Sequence, residues 1–170
     1  SHDTTHYSIK WNNDSSNYAN IPGLIAFPNK TDVYFKLVDP IIRLRDSVWL
    51  ADPRNIVLID TSGISANNLE FYHTQQSITI RGKLSKQKND AMVAIFKKLN
   101  LEDFNTGSVT KIQGTLDGTV SVANVYEKHP FFASSLNFNN RRFNEQYLGN
   151  GSVNCYWDNS VNAIALNGQL

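Results

Sequence analysis

The residues able to do chemistry are few and scattered along the chain. His2, Asp3 and His6 have the donor types of a metal site, but they open the chain, where Ser1-His2 also fits a cloning scar. His73 alternates with Leu69 and Phe71, which marks a strand residue, and His129 precedes Pro130 in a loop. A serine nucleophile needs G-x-S-x-G to hold it on a strained turn, and "SGISA", residues 62–66, lacks the second glycine. "GKLSK" around Gly82 lacks the Walker spacing, and no glycine-rich loop opens a helix to cradle phosphate. Asp52, Asp60, Glu70 and Asp117 are carboxylates of the kind glycoside hydrolysis uses in pairs, yet each is accounted for by a turn or a solvent-facing strand position. Cys155 alternates with Val153 and Trp157 and reads as a small buried hydrophobe without a partner base. What remains is Arg141-Arg142 between Phe138 and Phe143. Two guanidinium groups suit an anion and the rings suit a stacked partner, so Arg141, Arg142 and Phe143 are the candidate interaction residues. No catalytic residue, cofactor or metal is expected, and the chain reads as a non-enzyme.

Composition narrows the classes further. At 170 residues and 41% hydrophobic, the chain is long enough for one ordinary core. Its net charge of +1 comes from scattered basic residues, so no cationic stripe offers a nucleic-acid footprint. The longest apolar runs, "GLIAF" and "NIVLI", are too short to span a bilayer as helices. One cysteine excludes an internal disulfide framework and a thiolate zinc cluster. Asparagine is abundant, as in "NNDSSNYAN" and "NFNNRRFN", and its tolerance of left-handed backbone predicts many turns.

Local patterns give the elements that would position these residues. Residues 1–30, punctuated by Pro22-Gly23 and Pro28, read as an irregular lead-in. Thr31-Asp32 could open a helix carrying Tyr34, Leu37, Val38 and Ile41, with Pro40 either breaking it or starting a second helix through Trp49. Residues 56–59 read as a buried strand, and residues 69–84 as a hairpin turning at Gln75-Gln76. From Ser85 the period changes: Met92, Ile95, Phe96 and Leu99 make one apolar stripe, which predicts a helix with Ser85 as N-cap. Asp117-Gly118 predicts a type I′ hairpin turn. The fold class expected is α+β, a ferredoxin-like split βαβ core over 31–126 with helices on one face of an antiparallel sheet. An Asn- and aromatic-rich β-extension over 127–170 follows, turning at Asn159-Ser160.

The pieces "VWLADPRNIVLI", "LEFYHTQQSITIRGKLS", "MVAIFKKLN", "LEDF" and "SVTKIQGTLDGTVSVANVY" together resemble the periplasmic ferredoxin-like domain of inner-membrane assembly-platform proteins of type IV pili and type II secretion. Two departures stand out: the proline before the strand is displaced to Pro53, and the tail after Glu127 has no counterpart, which would suit a divergent type IVb member or another family. The resemblance implies a periplasmic scaffold anchored to the inner membrane by an upstream segment. It would act by homo- or heterodimerising with other platform proteins through helix faces and sheet edges. A rival reading is a secreted or surface carbohydrate-binding or adhesin module, whose sugar-stacking residues would be Trp11, Tyr18, Tyr156 and Trp157.

Overall fold

A computed structural model describes residues 3–105, 110–128, 130–158, 160–161 and 163–169. His2, His129 and the Asn159 half of the expected Asn159-Ser160 turn lie outside them. The architecture overturns the α+β expectation: thirteen strands form one antiparallel sheet, and the only helical segment among the described residues is a one-turn 3-10 helix, Leu101–Phe104.

The strands are β1 (Asp3–Asn12), β2 (Asn17–Phe27), β3 (Val33–Leu37), β4 (Ile41–Leu44), β5 (Ser47–Ala51), β6 (Ile56–Asp60), β7 (Gly63–His73), β8 (Gln76–Ser85), β9 (Ala91–Asn100), β10 (Ile112–Ala123), β11 (Phe131–Phe143), β12 (Gln146–Asp158) and β13 (Ala163–Gln169). β3 and β4 lie end to end against one edge of β2, and β5 and β6 lie end to end against one edge of β7. Thirteen strands therefore occupy eleven positions of a plain up-and-down meander.

Several expected elements are replaced, each for a local reason. The lead-in holds β1 and β2, paired from Asp3–Phe27 to Asn12–Tyr18. The helix expected from Thr31 is β3, and Pro40 lies in the irregular step between β3 and β4, where Asp39 takes φ 48°. The helix expected after Ser85 is β9. Its stripe also alternates, with Met92, Ala94 and Phe96 on one side and Val93 and Ile95 on the other, and ladders to β8 and β10 satisfy its backbone. Ser85 caps a turn instead, its Oγ accepting from the Gln87 N–H. Asp117-Gly118 is no turn but the middle of β10, opposite a bulge at Lys97-Lys98. Asp117 Oδ1 accepts from the Lys98 N–H, and Gly118 (φ 146°) lets the Ser135 carbonyl lie where a Cβ would stand. The expected hairpin is present as β7–β8, turning at Thr74-Gln75. The strand expected at 56–59 is β6. β11 to β13 continue the sheet from β10, with register shifts between Gln113 and Thr115 on β10 and between Phe138 and Arg142 on β11.

Among the described residues no second layer covers this sheet. The element pairs in substantial contact are ladder neighbours, plus the 3-10 turn against β10. The accessible surface is 10788 Å², where a globular chain of this length exposes about 8,400 Å². Among the described residues the buried apolar side chains are Ala19, Trp49, Ala51, Ala66, Leu99 and Ala123, mostly alanines and too few for the core of a two-layer fold.

Candidate functional site: an uncovered apolar sheet face

Register puts residues of like chemistry in line. One row across the sheet reads Phe35, Val57, Ala66, Gly82, Met92 and Val122, each opposite the next on the neighbouring strand. A second reads Leu69, Ile80, Ala94, Val120, Ser134, Cys155 and Leu166. The side chains one residue over, on the opposite face, read Glu70, Thr79, Ile95, Thr119, Ser135, Asn154 and Asn167. The sheet thus has one apolar and one largely polar face, as a period of two requires when only one side meets an apolar phase. Eleven strand positions at about 4.8 Å and strands of roughly 33–43 Å give a face on the order of 1,700 Å². That is several times the roughly 300–600 Å² of the largest apolar patch on a typical monomer.

At one end the 3-10 turn folds over this face. Phe104 stands 6.3 Å from the Trp49 ring, and with Ile42, Leu44, Phe71 and Ile78 they line a wholly apolar recess of about 210 Å³. The turn is fixed by polar groups behind it: Gln76 Nε2 and Asn100 Nδ2 each donate to the buried Asp103 carboxylate at 3.2 Å, and the Asn100 N–H donates to Gln76 Oε1 at 2.7 Å. A larger open depression, about 500 Å³, lies among polar residues including Glu70, Gln75, Gln76, Lys97 and Lys98, with Lys98 Nζ donating to Gln75 Oε1.

The candidate interaction residues lie at the β11–β12 hairpin, and the fold separates them. Arg141 lies over the Phe138 ring at 5.9 Å and donates to the carbonyls of Gly149 and Asn150, while Arg142 lies over Tyr147 at 5.8 Å. Arg141 occupies the apolar side near a strand end, against Gly151, and Phe143 is 47% exposed. The two guanidinium groups therefore do not converge on one anion. Of the sugar-stacking candidates, Trp11 and Trp157 fall on the apolar face and Tyr18 and Tyr156 on the other, at distant strand positions, so they form no single platform. Cys155 lies on the apolar face, half-buried and with a free thiol, where full burial was expected. His73 Nδ1 is 2.8 Å from the Val48 carbonyl, a satisfied strand residue.

The acidic residues serve turns. Asp14, Asp60 and Asp158 are held below the usual carboxylate range, chiefly by side-chain hydrogen bonds from Asn17, Ser62 and Ser160 respectively. Among the described residues no three His, Cys, Asp or Glu side chains gather as a metal set. Asp52 is pushed down to about 2 by hydrogen bonds from the Arg54 guanidinium, first, and from the Arg54 N–H. A folded value below the unfolded one, roughly 3.9, makes its contribution to stability complete above that value and lost as pH falls through about 2. Thermal melts should therefore fall more steeply between pH 4 and pH 2 for the wild type than for Asp52→Asn.

No family model, curated protein or solved structure matches the chain. The apolar face is not visible in any one strand of the sequence, because it forms only across neighbouring ladders. The signal that could have found it is the recurrence of alternation in successive ten-to-thirteen-residue segments separated by turn residues.

Proposed function

We propose that the protein works by non-covalent binding and that its apolar sheet face takes the hydrocarbon chains of lipids. The observation that carries this reading is the apolar face, crossed by rows of mainly aliphatic and aromatic side chains, over which the described residues place no second layer. Hydrocarbon has no hydrogen bonds to satisfy, and the interior of the face offers almost none. A sugar or a peptide backbone would leave its polar groups unpaired there, at roughly 1–3 kcal/mol each. The resemblance to pilus and secretion platform proteins supplies the non-catalytic, binding character of this reading. Platform membership and periplasmic placement rest on that resemblance alone, and its helices are strands here.

The chains could belong to a bilayer leaflet or to single lipids carried in solution, and two measurements separate these. The purified chain is mixed with phosphatidylcholine vesicles and floated on a density gradient; it is also incubated with the same lipid below vesicle-forming concentration and weighed by native mass spectrometry. Flotation marks the bilayer as the source, and lipid-sized mass increments mark carried lipid. A chain that neither floats with vesicles nor gains lipid mass overturns the proposal.

A further inference from the structure

We propose that the free edge of β13 is a dimer interface, at which a second copy of this chain adds its own β13 antiparallel across a two-fold axis. Among the described residues β13 is hydrogen-bonded to β12 alone, so its other edge presents unpaired N–H and C=O groups. Sheet edges are ordinarily blunted by charge, proline or a bulge. β13, AIALNGQ, has no charged residue and no proline, and its seven-residue ladder to β12 runs without a register shift. The opposite edge strand, β1, carries Asp3, His6 and Lys10. Leu166 is 67% exposed and Ile164 59%, both on the apolar face.

The geometry selects the copy's β13 over its β1. Strand direction alternates over eleven positions, so β1 and β13 run the same way, and joining them with apolar faces aligned would make a parallel ladder. A two-fold axis normal to the sheet makes β13 meet β13 antiparallel, like every other ladder in the molecule, and keeps both apolar faces on one side. Centred on Leu166, this register sets Leu166 opposite its copy, Ile164 opposite Gly168 and Ala165 opposite Asn167, with no like charges in contact. The dimer would carry one apolar face roughly 100 Å wide.

Sedimentation equilibrium over a wide concentration range should show a reversible dimer. Leu166→Lys, which brings two ammonium groups together at the axis, should weaken it at least tenfold. In a Cys155→Ser background, Leu166→Cys should form a disulfide-linked dimer under mild oxidant, because directly opposed residues on antiparallel strands have Cα atoms about 4.5–5.5 Å apart. Ile9→Cys, on the β1 edge, should not. A wild type that stays monomeric, a Leu166→Lys chain that dimerises as well as wild type, or equal cross-linking at Ile9→Cys would each overturn the assignment. Should Leu166→Lys fail to fold, the cross-linking pair decides.

Discussion

Ile80→Lys should lower lipid binding about 100-fold, while Thr79→Lys, one residue away, should leave it within about twofold of wild type. The contrast follows from register. Ile80 lies between Leu69 and Ala94 on the apolar face, and Thr79 lies between Glu70 and Ile95 on the other. A lysine at the centre of a hydrocarbon phase costs about 2.5–3.5 kcal/mol on insertion scales, which is on the order of 100-fold in affinity. Escape by snorkelling is blocked, since Ile80 is near the middle of a ten-residue strand and the nearest end is roughly 13 Å away, beyond a lysine's reach. Titration with a fluorescent phospholipid would measure the effect, with circular dichroism confirming that both variants keep the sheet. Equal loss in the two variants, or none in either, would show that this face does not hold the lipid.

The strand–turn texture was legible where turn chemistry was local. Gln75 in the β7–β8 turn, the short apolar run of β6 and the clean alternation of Val120 and Val122 all read correctly from neighbours in sequence. The failure at β9 has a physical cause. Met92, Ile95, Phe96 and Leu99 fit a helical stripe, but bulged residues 97–98 shift the phase of a strand by one and imitate it: Met92, Ala94 and Phe96 share a face, then Leu99 rejoins it after the extra residue. Asp117-Gly118 misled for the complementary reason, being the strand segment that accommodates that bulge. Asparagine in the sequence predicts loops, yet much of it lies at irregularities of strands. Asn68 and Asn140 take positive φ at the breaks in the β7–β8 and β11–β12 ladders, and Asn105 pairs with both the N–H and the C=O of Ile112 as a neighbouring strand would. The candidate site is not legible in the sequence, because Arg141, Arg142 and Phe143 stand out by their chemistry, whereas the face has none. It exists only once the strands are in register.

The same use of asparagine makes Asn55→Leu the substitution expected to damage the fold most, by roughly 2–5 kcal/mol. Asn55 is 1% exposed and lies between β5 and β6, level with the gap between β3 and β4, where two adjacent strands would otherwise leave backbone groups unpaired. Its Oδ1 accepts from the Leu37 N–H at 2.7 Å, and its Nδ2 donates to the Leu37 carbonyl at 3.1 Å and the Asp52 carbonyl at 2.6 Å. The side chain thus supplies the donor and acceptor that a ladder residue would have supplied. Leucine has similar volume but leaves the Leu37 N–H and C=O buried without partners, at about 1–3 kcal/mol each. Asn55→Asp separates the two bonds: it keeps the acceptor for the Leu37 N–H and loses both donors. Urea unfolding should rank wild type above both variants, and amide exchange at Leu37 should be fast in Asn55→Leu and slow in Asn55→Asp. Equal protection of Leu37 in all three would mean that the ladder closes by itself. Otherwise Asn55 is what lets two pairs of short strands act as single long ones, and so carries the apolar face across its most interrupted region.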